Sequence, residues 1–160
     1  MSENTTVYDA TDKILGRLAS LVAKEMISAR KSGSQQRVII VNAEGAVVSG
    51  PRSKVLGDYR AKYKLNHARK GPFYPRMPDK IIKRTVRGML PYQKNSSGRG
   101  ALRDLRVMIG TPANLSGDAL PEDHEWGDTS QIERDLPNKF VRLGEISSHL
   151  GVDSTRWGGE

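Results

Sequence analysis

The stretch Arg37-Val38-Ile39-Ile40-Val41-Asn42 decides the fold class of this chain. Its four central residues are β-branched and do not alternate with polar ones, which is typical of a parallel strand covered on both faces. Upstream, apolar residues recur at spacings of three and four from Ile14 to Ala29, the pattern of an amphipathic helix that ends at Gly33. The sequence also predicts a short strand at residues 7–10, before that helix. Strand, helix and strand together predict a right-handed crossover unit and hence an α/β fold.

The rest of the chain adds shorter elements around this unit. We expect strands at 46–49 and 106–109 and helices at about 51–65, 79–90, 98–105 and 140–150. Asp12 and Asp79 stand where a side chain caps the first turn of a helix. Residues 67–78 are rich in Pro and predict an extended basic arm, whereas residues 113–136 are acidic and rich in turn residues. We interpret the acidic segment as a surface excursion, peripheral to folding, of a single domain over residues 1–160.

The positive charge of the chain is concentrated in its middle third. The net charge is +8, but residues 1–51 contribute +1, residues 52–106 contribute +13 and residues 107–160 contribute −6. A compact segment with a charge of +13 repels itself unless a polyanion neutralises it. Aromatic residues are interspersed among these cations, and this combination suits RNA, because phosphates attract cations and unstacked bases pack on aromatic rings. We therefore predict a nucleic-acid interface in the middle third.

We assign RNA binding to cationic and polar aromatic residues of this region and of the first helix. The assigned residues are Lys13, Arg17, Arg60, Lys62, Lys64, His67, Arg69, Lys70, Tyr74, Arg76, Lys80, Lys83, Arg84, Arg87, Lys94 and Arg99. The four basic residues from Lys80 to Arg87 recur at helical spacings, so one face of that helix is entirely cationic. We expect that Arg84 and Arg87 can be replaced by Gln without loss of folding. Tyr59 and Tyr63 fit a buried helical stripe better than a base-stacking pair.

Several chemistries are excluded by the residue types present. The chain has no cysteine, which removes disulfides, thiolate metal sites and thiol nucleophiles. The first residues do not resemble a signal peptide, and no apolar run is long enough to span a bilayer, so we expect a cytoplasmic protein with no membrane partner. We expect no metal and no other cofactor, because the acidic residues around His124 fit a solvated loop better than a cation site.

Residues 45–50 have the G-x-x-x-x-G spacing of a phosphate-binding loop. However, Pro51 and Arg52 follow, where such a loop needs Lys and then Ser or Thr. These two residues disfavour the alternative of a nucleotide-using enzyme, and we expect neither catalysis nor a small-molecule substrate.

Two glycines lie inside predicted helices. Gly16 and Gly88 each cost roughly 1 kcal/mol relative to alanine in a helix interior. Close approach of RNA or of another backbone segment explains both residues, and contact between helix and sheet explains Gly16 equally well.

An ordered set of short motifs resembles the large-subunit ribosomal protein L13 family. The matching stretches are Leu15-Gly16-Arg17-Leu18-Ala19-Ser20, Val41-Asn42-Ala43-Glu44-Gly45, Ser49-Gly50, Gly71-Pro72-Phe73-Tyr74, Arg84-Thr85-Val86-Arg87-Gly88-Met89-Leu90-Pro91, Gly100-Ala101-Leu102, Arg106-Val107, Gly110-Thr111-Pro112 and Leu143-Gly144-Glu145-Ile146. The arm and the stretch from Arg84 to Pro91 are similar to the archaeal and eukaryotic branch. The acidic segment at about 114–136 matches no pattern of the family.

This resemblance implies a three-layer α/β/α domain around a small, mostly parallel four-stranded sheet. It also implies a structural constituent of the large ribosomal subunit that binds large-subunit ribosomal RNA and supports early subunit assembly and translation in the cytoplasm. Neighbouring large-subunit ribosomal proteins are the implied protein partners. A translational regulator that binds RNA outside the ribosome would share the basic surface and is the alternative.

Overall fold

The computed structural model of the protein describes residues 4–116 and 120–157. Its strands are β1 (Asn4–Asp9), β2 (Gln36–Val41), β3 (Val47–Ser49), β4 (Leu105–Val107), β5 (His124–Trp126) and β6 (Phe140–Arg142). Its helices are α1 (Leu15–Lys31), α2 (Arg52–Lys64), α3 (Pro78–Met89), α4 (Ser96–Asp104) and α5 (Leu143–His149). Short 3₁₀ turns lie at Ala43–Gly45, Ala113–Leu115 and Ser154–Trp157. None of the described helices is long and apolar enough to cross a membrane.

The central sheet consists of four parallel strands in the order β4-β2-β1-β5. β1 and β2 are adjacent, paired from Asn4 with Gln36 to Asp9 with Val41, and α1 connects them. The parallel strand-helix-strand unit predicted from the sequence is therefore present. Because the side chains of a strand alternate between faces, β2 sends apolar residues to both sides of the sheet.

Both faces of the sheet are covered by apolar packing. Val38 and Ile40 pack in the main core, together with buried apolar residues from each of the five helices. Ile39 and Val41 lie on the opposite face, in a smaller cluster with Leu115. This second face is covered by a thin layer that contains the 3₁₀ turn Ala113–Leu115. The three-layer α/β class with a small parallel sheet is confirmed.

β3 lies where the sequence predicts a strand, at 46–49, but it does not belong to the central sheet. It pairs antiparallel with β6, so that Val47 lies opposite Arg142 and Ser49 opposite Phe140. The predicted terminal helix over 140–150 was wrong in its first turn, because Phe140 to Arg142 form β6 and α5 begins only at Leu143. Phe140 and Val141 are residues that favour strands, and pairing with β3 buries Val141, so local propensity and the tertiary contact agree on a strand here.

The acidic segment that the sequence marks as a peripheral excursion contributes to the fold. Its residues His124–Trp126 form β5, which is paired with β1 from Thr5–His124 to Val7–Trp126. Leu115 and Ile132, from the same segment, are buried. These contacts argue against the expectation that this segment is peripheral to folding, because its few apolar residues pack although charged and turn residues dominate its composition.

The predicted helix caps also differ from the structure. Asp12 does not cap α1: its φ is 61°, and its carboxylate pairs with Nη1 of Arg142 at 2.6 Å. α3 begins at Pro78, one residue before Asp79. Proline is favoured at the first helical position, because a backbone N–H there would have no acceptor within the helix and proline has none to satisfy. Asp79 then lies in the first turn, where a carboxylate interacts favourably with the helix dipole.

No contact within the described part of the chain requires glycine at position 16 or 88. Both residues are exposed, and a Cβ added to either would have no heavy atom within 4 Å beyond its own helix backbone and chain neighbours. Contact between helix and sheet therefore does not explain Gly16.

Candidate nucleic-acid interface

The arm between α2 and α3 begins with a tight hairpin turn. His67 and Gly71 exchange two backbone hydrogen bonds, with N···O distances of 3.1 and 2.9 Å. Gly71 has a φ of 75°, a left-handed conformation that favours glycine. Arg69 and Lys70 are exposed at the tip of this turn. The main-chain N–H of Arg69 donates to Nδ1 of His67 at 3.3 Å, so the imidazole braces the turn.

Arg84 of α3 holds the next part of the arm. Its Nη1 donates to the carbonyl oxygen of Phe73 at 3.1 Å. Its Cζ lies 4.9 Å from the centre of the Tyr74 ring, within the range of a cation–π contact. Hydrogen bonds from a charged donor are roughly twice as strong as neutral ones, so Arg84 fixes the arm against α3.

Tyr74 connects the arm to α2 as well. Its ring meets that of Tyr59 edge to face, with 6.1 Å between the ring centres and 68° between the planes. Nζ of Lys62 lies 4.9 Å from the Tyr59 ring centre and 5.7 Å from that of Tyr74. Burial, and secondarily the nearby Tyr74, raise the pKa of Tyr59 to about 12. Burial also raises the pKa of Tyr74, and the Arg84 guanidinium opposes this shift.

Three more assigned arginines pair with aromatic rings or carbonyls. Cζ of Arg76 lies 5.5 Å from the ring centre of Tyr63, which brings the end of the arm back to α2. Cζ of Arg87 lies 5.1 Å from the ring centre of Tyr92, beyond the end of α3. Nη1 of Arg99 donates to the Tyr92 carbonyl oxygen at 3.3 Å. The connection from α3 to α4 is therefore held by two guanidinium groups.

Lys83 has a structural contact that the sequence did not indicate. Its Nζ donates to the Leu105 carbonyl oxygen at 3.0 Å, at the outer edge of β4. The four cations from Lys80 to Arg87 are thus not equivalent: three have contacts within the chain, and Lys80 is exposed. The prediction of one cationic face directed towards RNA overlooked these acceptors, because carbonyl groups and rings brought close by folding have no signature in the spacing of charges.

The other assigned cations have exposed side chains without an ion pair, hydrogen bond or ring contact to the described residues. They are Arg17, Arg60, Lys64, Arg69, Lys70, Lys80 and Lys94. Lys13 differs, because its Nζ lies 3.5 Å from Oε1 of Glu133. The structure does not bring Lys13 or Arg17 into contact with the arm. We call the surface formed by residues 59–99, from the second half of α2 to Arg99, the cationic–aromatic surface.

The positive charge of the cationic–aromatic surface is not compensated by carboxylates. In the described parts of the chain, no carboxylate oxygen lies within 4.0 Å of a lysine or arginine nitrogen of residues 59–99. Ion pairs occur elsewhere, for example between Arg30 and Asp104 and between Arg52 and Glu145. A phosphate backbone would supply the missing negative charge.

A groove between the arm and α3 contains an aromatic residue, Phe73, that is not among the residues assigned from the sequence. Its volume is about 280 Å³, and its lining residues are Phe73, Pro75, Lys80, Lys83, Arg84, Arg87 and Leu102. Phe73 is 61% exposed although it is large and apolar. Its sequence signal is a phenylalanine among Pro and basic residues, outside any apolar periodicity. Such a residue has no core to join and is available for a ligand.

Within residues 4–116 and 120–157, no three His, Asp or Glu side chains are grouped so that they could hold a metal ion. His124 lies in β5, where it is half-buried, and its acidic neighbours Asp123 and Glu125 are exposed.

Comparison with known proteins gives one family. The sequence profile of the family described as Ribosomal protein L13 matches residues 3–114. A large ribosomal subunit protein uL13 from Archaeoglobus fulgidus is 41% identical over 152 residues, which cover 94% of this chain and 90% of the relative. The protein of the same name from Methanosarcina barkeri is 41% identical over 148 residues, covering 91% and 97%. That from Halobacterium salinarum is 42% identical over 149 residues, covering 93% and 92%.

Proposed function

Because this chain belongs to the ribosomal protein L13 family, we propose that it is a structural constituent of the large ribosomal subunit and binds large-subunit ribosomal RNA through the cationic–aromatic surface. In this role it supports early subunit assembly and translation, beside neighbouring large-subunit ribosomal proteins. The uncompensated positive charge of residues 59–99 is the observation that carries the proposal.

The contacts of the arm divide the work among its residues. Arg84, Tyr74 and Arg76 hold the arm to α2 and α3 before RNA arrives. Ordering the arm during folding lowers the entropy cost of binding, because fewer side chains must be immobilised in the complex. The exposed cations at the hairpin tip and on α2 are then available for phosphates.

The groove beside Phe73 provides a second type of contact. A-form RNA is read largely through its backbone, whereas unpaired bases stack on aromatic side chains. Phe73 offers an exposed ring, and Lys80 stands at the same groove with a free ammonium group. This arrangement suits an unpaired nucleotide next to a helical segment of ribosomal RNA.

Binding of the full-length protein to RNA purified from large subunits tests the proposal. With roughly six to ten phosphate contacts, the affinity falls about 10³–10⁵-fold between 50 and 200 mM monovalent salt. Changing Arg60, Lys64, Arg69 and Lys70 together to Gln should lower the slope of log K against log salt by roughly 0.7–0.9 for each phosphate that is no longer neutralised. The melting temperature should stay unchanged, because these side chains have no partner in the described chain.

A matched control changes four exposed cations outside the cationic–aromatic surface. These are Lys24, Lys31, Arg134 and Lys139. The control removes the same net charge, so it separates a defined interface from a general charge effect. An equal loss of affinity in both variants, or a salt dependence that is nearly flat, would reject the assigned surface.

Sedimentation of the tagged protein from a native lysate separates the cellular roles. A ribosomal constituent travels with large subunits and ribosomes, whereas an RNA-binding regulator outside the ribosome travels with smaller complexes. A protein found only in the free fractions would contradict both roles.

The proposed role is non-catalytic. In the 45–50 stretch, Val47–Ser49 lie in β3 and pair with β6, so their backbone does not form a loop that could surround a phosphate. Nucleotide turnover that co-purifies with the protein and disappears on substitution of Gly50→Val would contradict this part of the proposal.

A further inference from the structure

β5 is the outer strand of the central sheet in the described part of the chain. The N–H of Thr5 donates to the carbonyl oxygen of Asp123 at 3.0 Å, and the N–H of Gly127 donates to the carbonyl oxygen of Val7 at 2.9 Å. Residues 123, 125 and 127 therefore face β1, since alternate residues of a parallel strand bond to the same neighbour. The N–H and C=O of Trp126 point away from the sheet, and neither has a partner among the described residues.

The two edges of the sheet differ. At β4, the outward carbonyl of Leu105 accepts from the Lys83 ammonium at 3.0 Å and its N–H donates to Leu102, so that the outward groups without a partner in the described chain are those of Val107, on a strand edge that carries a cation. At β5, the outward C=O of His124 and both peptide groups of Trp126 are free in the described chain, while the N–H of His124 is bonded to Pro121. Natural proteins usually cover or charge such edges, because unpaired peptide groups accept a further strand.

The surroundings of this edge are negative and partly apolar. A cleft of about 440 Å³ beside β5 is lined by residues that include Glu25, Glu125 and Asp128, and Lys24 is the one cation among its described lining residues. All three carboxylates raise the pKa of the Tyr8 hydroxyl. Burial is the largest cause of this rise, followed by the hydrogen bond to Glu25 and then by the charges of Asp128 and Glu125. Trp126 is 44% exposed at the same edge.

From these features, we propose that β5 is a docking edge for an extended, lysine- and arginine-rich segment of another protein, which adds to the sheet as a fifth strand. The free peptide groups of His124 and Trp126 pair with its backbone, and Trp126 packs on an apolar side chain. Glu125 and Asp128 contact its cations. The edge is too short to hold a partner by backbone pairing alone, so charge and the Trp126 ring supply much of the specificity.

The charge of this edge distinguishes its occupant from RNA. A phosphate backbone is repelled by carboxylates, and the cationic–aromatic surface elsewhere on the molecule attracts it. A partner with the opposite charge and a backbone able to join a sheet is a basic peptide. This inference goes beyond the proposed RNA binding, because it uses none of residues 59–99.

The test uses the full-length protein and an eleven-residue peptide of alternating lysine and valine. We expect measurable binding, and at least tenfold slower hydrogen exchange of the Trp126 amide in the complex. Changing Glu125→Lys together with Asp128→Lys should weaken binding at least tenfold. The milder Glu125→Gln with Asp128→Asn should weaken it less, and either pair must retain the melting temperature of the parent protein and its affinity for ribosomal RNA.

Two control peptides separate backbone pairing from simple charge attraction. A peptide of alternating glutamate and valine should not bind. The lysine–valine peptide with N-methyl groups on its five central residues keeps its charge but cannot donate to the edge, and should bind at least tenfold more weakly. The proposal is overturned by absence of binding at millimolar peptide, by equal binding of either control, by unchanged exchange at Trp126, or by protection of Trp126 by duplex RNA instead.

Discussion

Nη1 of Arg84 lies 3.1 Å from the carbonyl oxygen of Phe73, so a charged hydrogen bond joins α3 to the arm. A residue that composition marks as an RNA contact thus shapes the surface on which RNA would lie. The exposed cations around it depend on that shape for their positions. This division between residues that build the surface and residues that are free to bind leads to separate expectations for stability and affinity.

Changing Arg84→Gln should release the arm. The substitution removes a charge-assisted hydrogen bond and the contact with Tyr74, and we expect the free energy of unfolding to fall by about 1–2 kcal/mol. Urea denaturation measures this change, and limited trypsin digestion should cut faster after Arg69 and Lys70. Lys80→Gln is the matched control and should leave both unchanged. Equal stability of the two variants would show that Arg84 does not hold the arm.

Changing Phe73→Ala should weaken RNA binding without weakening the fold. The ring is 61% exposed, so the free energy of unfolding should change by no more than about 0.5 kcal/mol. Loss of one stack between a base and an aromatic ring costs roughly 1–3 kcal/mol of binding free energy. Binding to purified large-subunit RNA measures this loss. Leu65→Ala removes an apolar side chain that is even more exposed, at 71%, but has no ring. Similar affinity of the two variants would argue against stacking on Phe73.

Two helical glycines should respond in opposite directions to alanine. A Cβ on Gly98 would lie 2.5 Å from the Pro91 carbonyl carbon, a backbone atom that cannot move aside cheaply, so Gly98→Ala should destabilise by several kcal/mol. A Cβ on Gly57 would meet nothing within 4 Å, and Gly57→Ala should stabilise by about 0.5–1 kcal/mol. Thermal melting of the two variants checks both signs.

The acidic segment should prove necessary for stability. Leu115 is 2% exposed, and Leu115→Ala should cost about 2–5 kcal/mol through reduced burial and the cavity that remains. Leu136, from the same segment, is 38% exposed, and its change to alanine should cost well under 1 kcal/mol. Chemical denaturation measures the free energy of unfolding of both variants. If both are as stable as the parent, the segment is peripheral after all.

Stability should fall in alkaline solution partly because of Tyr59. Its pKa rises from 10.0 to about 12 on folding, so the unfolded chain loses the phenolic proton first. The neutral form contributes stability fully below pH 10 and loses it as the pH rises towards 12, by at most about 2–3 kcal/mol. Tyr59→Phe should flatten this part of the stability curve. An alkaline decline of Tyr59→Phe identical to that of the parent protein would contradict the assignment to Tyr59.

The sequence predicts the elements whose signal is local. The apolar run of β2 and the three-and-four spacing of α1 are long enough to identify each element, and their order determines a parallel pair. β5 and β6 have only three residues each, and their partners lie far away in the chain. β3 and β4 are equally short, but their apolar β-branched residues indicate strands, whereas His124–Trp126 lie among acidic and turn residues and Phe140–Arg142 run directly into the apolar spacing of α5. β5 therefore resembles a loop in the sequence, and β6 resembles the first turn of a helix.

The candidate site was predictable in its charge but not in its contacts. Sixteen basic residues among positions 52–106 are visible by counting. Counting cannot show that Lys83 and Arg84 donate to carbonyl groups, because any residue can present a carbonyl and only the fold brings it close. Phe73 was not assigned for a related reason: exposure of an apolar ring depends on what the arm packs against.

The pairing of β3 with β6 has a consequence for synthesis. Val48 meets Val141, a residue about ninety positions later in the chain, and closing so long a loop is slow because of its entropy cost. The entire +13 segment, residues 52–106, precedes β5 and β6 in the chain and therefore leaves the exit tunnel before either strand does. During translation, a growing polypeptide therefore displays its cations while the core beneath them is unfinished. Until β5 and β6 pair, these cations are open to any polyanion that the growing chain meets.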